Sequence, residues 1–406
     1  MSTGVFSPLR ISAFRWLVAG RSCTQLANAI APIVLAFAVL DMTGSLIDLG
    51  IVVGARSLTL VLLAVFGGVL ADRLRRSVLL QGTASAAAVT QLVIAAVVLA
   101  GVPSVPLLIL LSVCNGAVAA ISLPATAALT PQTVPAEMLT QANAVARIGA
   151  NTGRFTGAAV GGLLVAGVGP GWGLAGNGVV FVLAALAYGG VRSGRVPRPE
   201  SAGVLADLRN GWRAFTEHTW VWVIVLQFMV VNAVVAGGLF VIGPAVADAT
   251  IGRTAWGFVI AAQTAGLLVG GLVVARWRPR RALAVGVLVV LIDVVPLLVL
   301  AKLPLLVPLL VAMFLVGVSN EVFVVAWDVS LQENVPEDKL ARVYSYDMLG
   351  SFIALPIGEV AAGPLATAWG VDTALVAMSA LLVVATLGAL CSEQVRNLTR
   401  EQPTPL

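Results

Sequence analysis

Charge is what this chain has least of. Only 11% of its 406 residues are Asp, Glu, Lys or Arg, against about 25% in an ordinary soluble domain. With 59% hydrophobic residues and a mean hydropathy of +1.00, it has too little polar surface to enclose a soluble core. Histidine is almost missing. His218 stands alone, which excludes a histidine-based metal cluster and a conventional nucleophile–histidine–acid triad. Cysteine is scarce too. Cys23, Cys114 and Cys391 lie in or beside apolar runs, with neither metal-ligand spacing nor the pattern of a disulfide framework. No phosphate loop or nucleophile–base pair points to an enzyme, and no extra soluble domain points to a sensor. The composition calls for no cofactor. The net charge of +5 is no nucleic-acid signature, because the bases sit between apolar runs, where they set topology.

Long apolar runs are what the chain has in abundance. A helix needs about 20 apolar residues to cross the hydrocarbon core. On that rule the sequence divides into about twelve spans: 15–40, 46–71, 77–101, 104–127, 139–167, 171–192, 219–247, 254–276, 281–301, 304–328, 340–367 and 370–391. The run after Arg15 is too long for a cleavable signal and reads as the first span. Breaks such as Gly101-Val102-Pro103 and Gly167-Val168-Gly169-Pro170-Gly171 carry turn chemistry. The expected fold is therefore an all-α membrane protein of two six-helix halves, 1–192 and 219–406, joined by a linker over 193–218. In the linker, Val204, Leu205, Leu208, Trp212 and Phe215 recur at helical spacing and predict an amphipathic helix on the inner surface.

Of the 24 Lys and Arg residues, only Arg253 and Lys302 fall in odd-numbered loops. Arg21, Arg56, Arg147 and Arg154 fall within spans, and the other 18 lie at the N-terminus, in even-numbered loops or in the tail. The positive-inside rule then places both termini in the cytoplasm, as an even number of spans also requires. The halves repeat weakly. Val134-Pro135 and Leu139 return as Val335-Pro336 and Leu340, 201 positions on, and Gly149, Gly157 and Gly162 meet Gly350, Gly358 and Gly363 at that same offset.

Ionisable and amide side chains within spans need a reason, because they cost several kcal/mol in lipid unless paired or wet. Asn28, Asn115, Asn232, Asn320 and Glu321 all fall near mid-membrane. With Arg21, Gln25 and Gln227 they make a candidate polar ring around a midplane site. Plain interhelical hydrogen bonding is the alternative. Arg154, Asp293, Asp328 and Glu359 are further charged groups inside spans. Asp293 is expected to form a structural pair.

The loop after the second span, Gly67-Gly68-Val69-Leu70-Ala71-Asp72-Arg73-Leu74-Arg75-Arg76, resembles the Gly-x-x-x-Asp-Arg-x-Gly-Arg-Arg loop of the major facilitator superfamily. Gly68, Asp72, Arg73 and Arg76 match, while Arg75 stands where that family has glycine. Gly153-Arg154-Phe155-Thr156-Gly157-Ala158-Ala159-Val160-Gly161-Gly162 resembles the fifth-helix motif of drug–proton antiporters. Gly153, Gly157, Gly161 and Gly162 match, and Ala158 replaces the motif's proline. Leu123-Pro124-Ala125, Gln141-Ala142-Asn143-Ala144 and Gln332-Glu333-Asn334-Val335-Pro336 are similar to the bacterial branch that includes enterobactin exporters and macrolide-type efflux proteins.

The resemblance implies the major facilitator fold in the inner (plasma) membrane, working as a monomer. Its first, fourth, seventh and tenth spans would line a central cavity. It implies alternating access, with Asp72, Arg73 and Arg76 steadying one gate state and the Gly153–Gly162 face packing the outer gate. The expected partners are a small organic substrate, protons and the bilayer, with no nucleic acid. The expected activity is proton-driven export, with Glu321 carrying the proton and Glu359, Asp328 and Arg154 as further coupling candidates. Import of a nutrient by the same fold stays open as the alternative.

Overall fold

A computed structural model of the chain describes residues 6–71, 75–102, 104–127, 129–191, 212, 213, 215–277 and 279–399, with side chains described except at 65–71, 123–127, 338 and 341. The described residues are nearly all helical and contain no strand. The Asp72-Arg73 part of the loop after the second span, and the linker up to residue 211, lie outside them.

Among the described residues, eleven helices are long and apolar enough to cross a membrane. One of them, Ala136–Gly189, has 54 residues, about 80 Å at 1.5 Å per residue and more than twice the hydrocarbon thickness. It holds two crossings, which restores the expected twelve. The helices are α1 (Ser12–Thr43), α2 (Leu46–Ala71), α3 (Arg76–Leu99), α4 (Val105–Ala127) and α5 (Leu139–Gly189). After the linker come α6 (Thr219–Val235), α7 (Gly243–Ala249), α8 (Arg253–Arg276), α9 (Ala282–Val289) and α10 (Val294–Lys302). Then follow α11 (Leu306–Asn334), α12 (Glu337–Phe352), α13 (Leu355–Trp369), α14 (Val371–Cys391) and the short α15 (Glu393–Asn397).

Three spans that read as continuous are interrupted, each just before a proline. A π-helical stretch, Ala236–Ile242, joins α6 to α7 ahead of Pro244. A 3-10 turn, Val290–Asp293, joins α9 to α10 ahead of Pro296. Ile353 and Ala354 separate α12 from α13 ahead of Pro356. Proline has no N–H to give the preceding turn and crowds its carbonyl, so the helix reorganises there.

The chain forms two compact units, residues 1–198 with 247–261, and residues 199–246 with 262–406. In the first, α1 runs along the opening half of α5, α3 packs on the closing half of α5, and α2 pairs with α4. In the second, α9 packs on α11, α10 on α14, and α6 against α12 and α14.

The weak sequence repeat is a repeat of contacts. A side chain at Gly116 of α4 would strike the carbonyl of Arg56 in α2, and one at Gly317 of α11 would strike that of Gln263 in α8. Gly157 stands against the Leu26 carbonyl of α1, and Gly358 against the Ala233 carbonyl of α6. Lipid gives apolar helices no drive to associate, so such small-residue seams, where backbones touch, supply the packing. The turn inside α5 repeats as well. Gly169 (φ 81°, ψ 163°) and Gly370 (φ 80°, ψ 151°) occupy a region that is essentially glycine-only.

Candidate functional site

In the first unit the seam between α1 and α5 sets the geometry. Gly149 and Gly153 stand against Ser22, Gly157 against Leu26 and Gly161 against Ile30. The four expected motif glycines are thus contact points. The last, Gly162, faces Gly257 of α8 rather than α1. This close approach brings Arg154 to α1, where its Nε donates to Gln25 Oε1 at 3.5 Å. Arg21, one turn before Gln25, is near enough for its charge to act on Arg154.

A recess of about 40 Å³ opens beside this seam, lined by Thr24, Asn28, Thr83, Asn115, Ser122 and Tyr188 among its polar residues. It has room for a water or two. Asn28 is exposed at its edge, while Asn115 is only 7% exposed and bound on both sides. Arg56 Nε donates to Asn115 Oδ1 at 2.9 Å, and Asn115 Nδ2 donates to Thr90 Oγ1 at 3.3 Å. This network ties α2, α4 and α3 together, so Asn115 serves the packing as well as the recess.

At the C-terminal end of α1 lies a charged cluster that the sequence reading missed. Arg253 donates to both carboxylate oxygens of Asp41, at 2.6 and 2.8 Å, and to both of Asp248, each at 2.8 Å. Its guanidinium also lies over the Phe37 ring, 5.1 Å from the centroid. The signal was present: Arg253 is one of two bases on the wrong side for the arginine asymmetry, and an acid sits at each neighbouring span end.

The second unit holds a column of rings. Phe228 stacks on Phe323 at 4.0 Å, Phe323 on Trp327 at 6.3 Å, and Trp220 meets Trp327 edge-on at 5.6 Å. Trp327 Nε1 donates to Asp347 Oδ2 at 2.9 Å, and Ser351 Oγ donates to Asp347 Oδ1 at 3.1 Å. Asn232 Nδ2 donates to the Ser351 carbonyl at 2.8 Å, and Tyr344 OH donates to Asp328 Oδ1 at 3.1 Å. Asp347 was not singled out from the sequence. Its place in the more polar opening stretch of the eleventh span concealed it, and only the fold shows Trp327 beside it.

Glu321 is half-buried on α11 and faces the Gly270-Gly271 pair of α8. Among the described residues it accepts no hydrogen bond. Asn320 beside it is also half-buried. Two expectations are corrected. Gln227 does not line an open cavity: it is 2% exposed and donates to Thr386 Oγ1 of α14 at 3.2 Å. Asp293 forms no structural pair among the described residues: it is 3% exposed, and its Oδ1 accepts no hydrogen bond. Glu359 is also buried, in the turn after the Gly358 contact with α6. Lys339 Nζ donates to Glu217 Oε2 at 2.9 Å and holds that exposed carboxyl below its ordinary range. The pair therefore persists through physiological pH and is lost only on strong acidification. Of the expected gate residues, Arg76 opens α3 and Gly68 lies in α2. Asp72 and Arg73 lie outside the described residues. Among those described, no group of His, Cys, Asp and Glu has the arrangement of a metal site.

Twelve apolar crossings, a contact repeat between halves and polar groups inside the spans define a polytopic membrane protein. The profile of the Major Facilitator Superfamily matches residues 17–359, and the chain belongs to that family. It is 27% identical, over 96% of its length and 97% of the relative's, to the multidrug efflux pump Tap of Mycolicibacterium fortuitum. Solved structures of similar fold include a bacterial homologue of the lysosomal transporter Spinster (TM-score 0.74, 16% identity, 98% of this chain and 100% of that one). The nucleoside transporter NupG is another (TM-score 0.74, 13% identity, 93% and 98%). A bacterial homologue of ferroportin is a third (TM-score 0.73, 18% identity, 94% and 98%). The chain is a multi-pass membrane transporter, not an enzyme.

Proposed function

We propose that this protein exports small to medium organic compounds across the plasma membrane by proton-coupled alternating access, with both termini in the cytoplasm. The observation that carries the reading is the end-to-end likeness to an efflux pump, over 96% of this chain and 97% of the relative. The α1–α5 glycine seam, with its last glycine on α8, supports it as a place where backbones can meet and close. Asp72, Arg73 and Arg76 act as the inner gate motif. Asn28, Asn115, Asn232 and Asn320, with Arg21 and Gln25, contribute polar contacts along the substrate path. Glu321 carries the proton, because it is the acid nearest mid-membrane on a helix that the family resemblance places around the cavity, and it is half-buried on α11. Asp328 is engaged by Tyr344, and Arg154 acts only as a fixed charge, since arginine keeps its proton.

One charge moved across 100 mV is worth about 2.3 kcal/mol, and a tenfold gradient costs about 1.4 kcal/mol. One proton entering per neutral molecule leaving therefore sustains a ratio of roughly fortyfold at that potential. The test is purified protein in proteoliposomes with an imposed pH gradient and a panel of efflux substrates, chosen from hits in a pump-deficient host. Accumulation should collapse with a protonophore. In E321Q it should lose its dependence on the gradient while substrate exchange persists. Gradient-independent transport by the wild type sinks proton coupling, and undiminished gradient-driven transport by E321Q removes Glu321 from it.

A further inference from the structure

Arg21 and Arg154 are both set inside spans of the first unit, on the two helices joined by the glycine seam. Gly153 lies against the Ser22 carbonyl, so the residue next to each arginine is in backbone contact across the seam. The two positive charges are held close enough to repel. Arg154 uses one donor, on Gln25 at 3.5 Å. Arg21 Nε is enclosed by protein and donates to nothing among the described residues. Tyr188 stands nearby, with its hydroxyl shared with Thr24 at 3.2 Å.

The described acids of this unit are committed or remote. Asp41 and Asp248 hold Arg253, Asp48 heads α2, and Glu137 lies before α5. Among the described residues neither Arg21 nor Arg154 has an ion-pair partner. An uncompensated arginine inside a span is costly, and a second one beside it adds repulsion. A pair of guanidiniums with spare N–H groups is relieved by an anion, which accepts two parallel hydrogen bonds from each fork.

We infer that Arg21 and Arg154, with Gln25 between them, form an anion-binding subsite, and that it takes the carboxylate, sulfonate or phosphate group of an amphiphilic organic compound. This rests on the transporter reading above and names a substrate class for it: organic anions. An anionic lipid headgroup offers the same chemistry.

The test uses two dyes that differ only in charge, anilinonaphthalene sulfonate and phenylnaphthylamine, which is the same ring system without the sulfonate. Full-length protein in phosphatidylcholine nanodiscs is titrated with each, and the signal of empty discs is subtracted. The wild type should favour the sulfonate. R154Q and R21Q should each weaken sulfonate binding roughly tenfold or more and leave the uncharged dye within about twofold. R21K, which keeps the charge and loses the fork, should fall between. Equal weakening of both dyes means a structural role and overturns the proposal, as does sulfonate binding that neither substitution changes. Discs containing phosphatidylglycerol separate the sources. If sulfonate affinity falls in the wild type but not in R154Q, a lipid headgroup occupies the subsite. If affinity is unchanged, or falls equally in both, the ligand is a soluble anion. Because binding is read without a gradient, failure here leaves proton-driven export standing, and failure of export leaves this measurement readable.

Discussion

Arg253 shows most clearly what single residues do in this protein. Its guanidinium satisfies two carboxylates at once, each in the two-oxygen geometry that makes arginine the preferred partner. The cluster is partly exposed, with Arg253 at 24% and Asp41 at 39%, so each pair is worth only about 1 kcal/mol. Truncating the arginine has a larger effect than neutralising one acid, because it leaves two acids facing each other. R253A should therefore lower the melting temperature more than D41N or D248N. The R253A/D41N double variant should be less damaged than the sum of its parts, since the repulsion is removed. Strict additivity in thermal melts of the purified variants would show that the contacts carry no coupling. From the sequence Arg253 registered only as an exception in a topology count. Its partner Asp41 is 212 positions away, a distance no local pattern bridges.

At the scale of elements, the turn inside α5 is the sharpest case. The helix runs on from Leu139 to Gly189, yet Gly169 leaves the helical region and Pro170 opens the second crossing. Proline suits a first helical turn, where its missing N–H is no loss. G169A should destabilise the protein, because alanine cannot take that backbone conformation without strain of roughly 1–3 kcal/mol. G167A is the matched control. A methyl group there meets nothing within 4 Å and the backbone φ is ordinary, so it should be neutral or slightly stabilising. Equal melting temperatures for the two variants would show that the turn tolerates a side chain. Both crossings were legible beforehand, because Gly-Val-Gly-Pro-Gly is a local signal. The π stretch before Pro244 and the 3-10 turn before Pro296 were not. A proline marks where a helix can yield, but neighbouring helices decide in which way it does.

For the whole molecule, topology is the expectation most open to test. Cys391 ends α14 and is exposed. With Cys23 and Cys114 replaced, it should react with a membrane-impermeant thiol reagent only after the cells are opened. Labelling from outside intact cells would invert the orientation drawn from the arginines. Orientation also bears on energetics. One proton entering for one monoanion leaving moves two charges in the same electrical sense, so the membrane potential drives export of an organic anion twice as strongly as that of a neutral compound.

Run length was enough to give the bilayer as the solvent and about twelve crossings, and an offset of 201 positions picked out glycines that make matching contacts. Each is readable within a local window or by simple comparison. Most of the polar residues inside the spans were visible in the same way, since any such residue stands out against an apolar background. What those residues touch was decided by packing. Gln227 and Asn232 lie on the same helix, yet Gln227 is buried against α14 while Asn232 reaches the Ser351 carbonyl of α12. The physical reason is rotation: adjacent residues on a helix point about 100° apart, so a residue's neighbours are set by how each helix turns against the next. Arg154 and Gln25, 129 positions apart, meet because glycines let two backbones touch.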